Sequence, residues 1–295
     1  MRKLTLGRRL FIGFNACLLT AITLLGIVPF IHLLAISLSS NTAAMAGEVK
    51  LWPIGFSTDA YQFLAEKVEF FRSLRVSVER VALGTLVNMF LVFITAYPLS
   101  KSNSQFKHRT LYVWFFAVTI FFGGGLIPTY IIVKATGLID SIWSLILPGA
   151  LSVWNVILML NFFRTIPKEL EEAATIDGAG HWKILTRIYL PVSLPSIATI
   201  GLFTIVGHWN AWFDGILYLN SPEKYPLQTY LSTLIMSMNA MLTSISTEQL
   251  EMLDNLSEKT LRNAQIFMGA LPIMVVYPFL QKYFVKGMTV GSVKE

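Results

Sequence analysis

The sequence predicts an all-α integral membrane protein of six transmembrane helices, with a polar helical loop between spans four and five. Three observations predict it. The 295 residues are 54% hydrophobic and only 14% charged, whereas soluble domains carry about 25% charged residues; the mean hydropathy is +0.61. Six stretches reach the length of about 20 apolar residues that a helix needs to cross the hydrocarbon core: roughly 12–38, 76–99, 110–133, 141–163, 192–219 and 265–284. Basic residues are unevenly spread, with 14 of the 23 Lys and Arg in or at the edge of 1–11, 100–109, 164–191 and 285–295. That asymmetry puts those segments inside. The expected organisation is a cytoplasmic tail at 1–11, a transmembrane domain over 12–284 that includes the loop 164–191, and a cytoplasmic tail at 285–295.

The first span follows Arg2, Lys3, Arg8 and Arg9, and "AMA" at 44–46 offers a small-residue cleavage pattern. Its apolar run far exceeds the 7–15 residues or so of a secretory signal core, so a retained span is expected. Span two opens with "RSLRVSVERVA", where Arg72, Arg75, Glu79 and Arg80 crowd together. Arg75 and Glu79 are four apart and suited to pairing on one helix face. We take Arg75, Glu79 and Arg80 as candidate outer-entrance charges; a guanidinium there suits a carboxylated ligand, and contact with a partner or lipid headgroups is the competing reading.

Span three is interrupted in "FFGGGLIPTYIIV" by Gly123, Gly124, Gly125 and Pro128. Either these residues serve ordinary helix packing, or the backbone breaks where it lines a cavity. Pro148, Pro195, Pro272 and Pro278 interrupt other spans. Span five carries "GHWNAWFDG", with His208, Trp209, Asn210, Trp212 and Asp214. Polar groups in a span face a bundle interior or cavity, and aromatic rings stack on the C–H faces of sugars. The two Trp also fit an interfacial belt, and Asn210 and Asp214, four apart, fit a structural hydrogen bond on one face. Tyr130 and Asn155 complete the candidate pathway set.

Several function classes fall away. One cysteine, Cys17, excludes an intramolecular disulfide. His32, His108, His181 and His208 show no metal-ligand spacing, and no metal is expected. No catalytic constellation and no phosphate-binding Gly-x-x-x-x-Gly-Lys-Ser/Thr motif appears. An ion-coupled carrier needs ionisable groups deep in the spans, and away from their ends few stand out beyond His32. The net charge of +6 reads as inside-positive bias and not as a nucleic-acid footprint.

The loop "FFRTIPKELEEAATIDGAGHWKILTRIYLPVSLPS" reads as two helices meeting at a corner. Pro167 fits a first turn, and Glu169, Glu171 and Glu172 suit the positive end of that helix. Gly178 and Gly180 permit backbone angles closed to other residues, Asp177 suits the cap of a second helix, and Leu190-Pro191 ends it. Ala173, Ala174, Ile176, Ala179 and Trp182 would face water unless covered. A compact knob of this kind suits a groove on a soluble partner.

The spacing of Glu172-Ala173-Ala174, Gly178, Ile188 and Leu190-Pro191 resembles the EAA loop of the membrane subunits of ATP-binding-cassette importers. The likeness extends to "AYPLSK", "GGGLIPTYIIVKATGLIDSIWSLILPGALSVWNVILMLNFFRTIP", "GLFTIVGHWNAWFDGILYLN" and "YPFLQKYFVKGMTVGSVKE". These resemble maltose-permease-like carbohydrate permeases, in the branch that includes oligosaccharide and alginate importers. The resemblance implies a non-catalytic permease subunit in the bacterial inner membrane with both termini cytoplasmic. It implies a second, non-identical permease, two ATPase subunits holding ATP and Mg, and an extracytoplasmic sugar-binding protein. It further implies that Glu172 contacts the ATPase, that Ala173 and Ala174 allow close approach, that Gly178 forms the corner, and that the tail "KGMTVGSVKE" reaches the ATPase dimer.

Overall fold

The computed structural model describes residues 5–244 and 258–292, with side-chain surroundings for 5–236 and 259–278. Among the described residues every regular element is helical. Two helices, α1 (Leu6–Ser37) and α4 (Val68–Ser100), are long and apolar enough to cross a membrane unbroken. Three bent pairs meet the same test together. The first joins α5 (Arg109–Phe121) to α6 (Leu126–Ala135) through a 116° bend. The second joins α7 (Ile142–Ile146) and its 3₁₀ turn Leu147–Gly149 to α8 (Val153–Phe163) through 52°. The third joins His181–Val192 to α12 (Leu194–Asn210) through 85°. The expected sixth span lies within Glu258–Ser292, and its side chains beyond 278 are outside the described residues.

Local chemistry accounts for the breaks. The α5–α6 chain turns at Gly125, which has φ 81°, a region that only glycine occupies freely. The three-glycine run therefore ends one helix and starts another. Ser141 Oγ accepts from Trp143 N at the start of α7, and Ser152 Oγ accepts from Asn155 N at the start of α8. Each cap supplies a partner for an otherwise unbonded N–H.

The chain divides into two compact units, Met1–Phe70 with Thr233–Leu271 and Phe71–Ser232 with Pro272–Glu295. In the first, α2 (Asn41–Ala46) and α3 (Asp59–Glu66) follow α1. Ser37 and Tyr61 share a 2.7 Å hydrogen bond, and Ala60 and Leu64 pack on Leu261 and Ala264. The most apolar window of α1 is entirely exposed.

The second unit holds the main core. Val92, Ala96, Tyr97 and Leu99 of α4 meet Val156, Met159, Leu160 and Phe163 of α8, and Ile184, Leu185 and Tyr189 close the cluster. Close approach elsewhere depends on glycine. A Cβ at Gly215, in α13 (Phe213–Tyr218), would collide with Thr229 Oγ1, and Thr229 is fully buried. Gly215→Ala is expected to destabilise the protein by about 1–3 kcal/mol through overpacking, read as a lower unfolding temperature in detergent.

Candidate functional site: a two-faced loop and a polar cleft

The loop 164–191 folds into two pieces on either side of a corner. Helix α9 (Lys168–Ile176) starts after Pro167, which is its N-cap residue and stands one position before the first turn. The helix ends at Asp177, and the chain reverses at Gly178 with φ 74°. The amides of Gly178 and Ala179 return to the carbonyls of Thr175 and Ala174 at 3.0 and 2.9 Å, the pattern of a helix closed by a left-handed glycine. A Cβ at Gly178 would meet nothing within 4 Å. Backbone conformation, and not space, is what requires glycine. Asp177 therefore closes the first helix and does not cap the second: Gly180 stands at that N-cap, with no side-chain bond. The second piece departs from the regular amphipathic helix expected. It is a turn, α10 (His181–Ile184), then a π segment Leu185–Tyr189, then α11 (Leu190–Val192). A π turn accommodates an extra residue, and here it carries Tyr189.

The pattern residues separate onto two faces. Glu172, Ala173, Asp177 and Gly178 are exposed, and Ile176 is 86% and Trp182 63% exposed. Ala174, Ile188 and Leu190 pack against the main core, while Pro191 is exposed where the third bent pair begins to turn.

The residue that ties α9 down is Glu171, which sequence reasoning had grouped only with the helix-dipole acids. Its Oε1 accepts from Lys101 Nζ at 2.7 Å and its Oε2 from Tyr189 OH at 2.7 Å. Lys101 Nζ also donates to Tyr189 OH at 2.9 Å and lies 4.1 and 4.2 Å from the ring centres of Tyr97 and Tyr189. Tyr97 OH in turn meets His181 Nδ1 at 3.2 Å. Burial pushes the Glu171 carboxyl up, but the bonds from Lys101 and Tyr189 and the Lys101 charge outweigh it. The carboxyl is held below its ordinary 4.5. A depressed carboxylate contributes stability that is present above the unfolded value and lost as pH falls through the folded one. Acidification below pH 4.5 is thus expected to speed proteolytic cleavage of this loop, and Glu171→Gln is expected to flatten that pH dependence. The signal for this cluster was present in "AYPLSK", where Tyr97 and Lys101 are four apart, but its partners lie 70 and 88 residues away.

A second polar arrangement lines a cleft of about 540 Å³ among α4, α7, α8, α12 and α13. Arg80 lines it and is only 2% exposed. Its guanidinium pairs with both carboxylate oxygens of Asp214, donates to Ala211 O at 3.1 Å, and reaches Leu145 O at 3.5 Å. The structure thus separates Arg80 from Arg75 and Glu79, which form an exposed ion pair at 2.8 Å. Its charge is already matched by an internal carboxylate. Deeper along α4, Asn88 donates to Ala150 O at 3.0 Å, and Asn155 Nδ2 lies 3.4 Å from both Asn88 Oδ1 and Thr204 Oγ1. His208 lies against Gly84, where a Cβ would collide with the imidazole ring.

Of the candidate pathway residues, His208, Asp214 and Asn155 line this cleft, and Tyr130 stacks on the cleft residue Tyr218 with centroids 6.3 Å apart. Trp209 is buried, whereas Asn210 and Trp212 are exposed. Asn210 and Asp214 do not share a helix face, because α12 ends at Asn210 and α13 begins at Phe213. Sequence reasoning missed Asn88, Thr204 and Ser144, which are small polar residues scattered through apolar runs. The C-terminal tail at 285–295 lies outside the residues whose side chains are described.

Residues 83–290 match the family described as the inner membrane component of binding-protein-dependent transport systems. The chain is 40% identical over 271 residues to the polygalacturonan/rhamnogalacturonan transport system permease protein YtcP of Bacillus subtilis (strain 168), covering 92% of this chain and 93% of that protein. It is 39% identical over 290 residues to Protein LplC of the same organism, covering 98% and 97%. Its fold is similar to a chain in the crystal structure of a bacterial ABC transporter involved in the import of the acidic polysaccharide alginate. That likeness has a TM-score of 0.84 and 31% identity, over 96% of this chain and 100% of the other. The protein therefore belongs to the inner membrane components of binding-protein-dependent transport systems, as a non-catalytic ABC permease subunit whose ATPase is a separate chain.

Proposed function

We propose that this permease forms half of the translocation pathway of an ATP-driven importer of an acidic oligosaccharide. The observation that carries the reading is the 40% identity, over 92% of the chain, to a permease named for polygalacturonan and rhamnogalacturonan; the alginate importer of similar fold supports an acidic cargo. Arg80 does not carry that part of the reading, since Asp214 already neutralises it. The chain spans the membrane six times with both termini cytoplasmic. It pairs with a non-identical permease above two ATPase subunits, which bind ATP and Mg, and receives cargo from an extracytoplasmic binding protein. The exposed residues Glu172, Ala173, Asp177 and Gly178 dock in the ATPase, with Ala174, Ile188, Leu190 and Pro191 supporting them from behind. His208, Asp214, Asn155 and Tyr130 belong to the pathway wall, with Trp209, Asn210 and Trp212 at its bend. Arg75 and Glu79 stand at the outer entrance.

The test is to purify the chain with its native partners and reconstitute it with the binding protein. An ATPase is expected to co-purify, transport to require ATP, and uronic oligosaccharides to stimulate hydrolysis more than neutral ones. The buried Arg80–Asp214 pair supplies what an ion-coupled carrier would need, ionisable groups inside the bundle. Transport by this chain without ATPase or ATP would favour that reading instead.

A further inference from the structure

Helix α9 is poorly held by its own apolar surface. None of its residues is buried, and of its side chains only Ala174 packs against the main core. It is bounded by Pro167 on one side and the left-handed Gly178 on the other. With so little packing, the side-chain polar link from this helix to the rest of its unit, among the described residues, is the Glu171 carboxylate. That carboxylate is gripped by Lys101 and Tyr189 in a closed triangle of hydrogen bonds at 2.7, 2.7 and 2.9 Å. The ion pair is shielded, with the Lys101 side chain 6% and the Glu171 side chain 12% exposed. Two tyrosine rings hold the ammonium from the sides.

Lys101 immediately follows α4, and the same helix carries Arg80 and Asn88 in the wall of the polar cleft. Arg80 and Lys101 are separated by about 30 Å of helix at 1.5 Å per residue. One continuous helix therefore has the cleft wall toward one end and, just past its internal Pro98, the strap to α9 at the other. We propose that Lys101, Glu171 and Tyr189 are positioning residues that transmit displacement of α9 to α4, and through α4 to the cleft. The proposal rests on the reading of α9 as the ATPase-docking helix. In this scheme Glu172 faces the partner and its neighbour Glu171 faces inward, so adjacent acids serve opposite ends of the same transmission. The apolar contacts of the second piece of the loop, at Ile184, Leu185 and Tyr189, hold that piece to the core, so the Tyr189 hydroxyl joins Glu171 to the core as well.

The experiment uses the whole reconstituted importer carrying Glu171→Gln, Lys101→Met or Lys101→Arg. ATPase co-purification, ATP hydrolysis and transport are all measured. The strap predicts that Glu171→Gln and Lys101→Met keep the ATPase bound and hydrolysing while transport per ATP falls about fivefold or more, the range of an ordinary coupling energy. Lys101→Arg, which keeps the charge and its stacking on the rings, is expected to retain most of the ratio. An unchanged ratio in Glu171→Gln and Lys101→Met overturns the proposal. Loss of the ATPase from those complexes also overturns it, because Glu171 and Lys101 would then serve docking and not transmission. If the unmodified chain brings down no ATPase, the importer reading fails and the strap fails with it; a normal wild-type complex with fully coupled variants sinks the strap alone.

Discussion

Gly178→Val is expected to uncouple transport from ATP hydrolysis while leaving the permease in the membrane at normal abundance. The corner needs φ 74°, and a side chain in that left-handed region costs about 1–2 kcal/mol, with a β-branched residue at the upper end. Nothing lies within 4 Å of the added Cβ, so the cost falls on the turn and does not spread into the core. A bias of that size shifts the balance between the native and an altered loop by about tenfold. Transport is expected to fall by up to about that factor. Gly178→Asn is the matching control, because asparagine tolerates this conformation; it is expected to retain most transport. Normal coupling in Gly178→Val would remove the corner from the mechanism. Glu172→Lys is expected to give the same uncoupled phenotype by a different route, acting on an exposed face and leaving thermal stability unchanged.

The largest loss of stability is expected from breaking the Arg80–Asp214 pair. Removing one partner of a buried pair leaves an uncompensated charge and costs about 3–5 kcal/mol. The Asp214 side chain is 26% exposed, which favours the lower end. Asp214→Asn leaves Arg80 with neutral acceptors only, the new amide oxygen and the carbonyls of Ala211 and Leu145. A sharp drop in unfolding temperature and in the amount of folded protein in the membrane is expected. Arg80→Met combined with Asp214→Leu is expected to recover much of that loss, since apolar replacement of a buried pair is often neutral. If the double variant also transports, the pair is architectural. If it folds and does not transport, the charges take part in passage.

The helical character and the approximate places of the apolar helices were legible because they follow from apolar length alone; whether each bent pair is one span does not. The break at Gly123–Gly125 was legible as one half of an alternative: φ 81° at Gly125 bears out the break itself, while the three glycines are exposed. The corner at Gly178 was legible because a left-handed turn restricts residue type. What sequence could not supply was long-range pairing. Glu171 and Glu172 look equivalent in the chain, yet one is tied inward and the other is exposed. That difference depends on a lysine 70 residues earlier. Arg80 looked like a companion of Arg75 and Glu79 because they share a helix, and only the fold brings it to Asp214, 134 residues on. The Asn210–Asp214 register failed for a local reason: the helix stops at Asn210, and i,i+4 spacing has no meaning across a break.

The Arg80–Asp214 contact also bears on how the protein is made. Arg80 leaves the ribosome 134 residues before its carboxylate, a delay on the order of ten seconds at ordinary rates of synthesis. During that interval the second long apolar helix carries an unpaired arginine, at a cost of up to about 3 kcal/mol if it lies at mid-bilayer. Early stability of the growing chain thus depends on where that helix waits. Its final seat is completed only when the segment bearing Asp214 arrives.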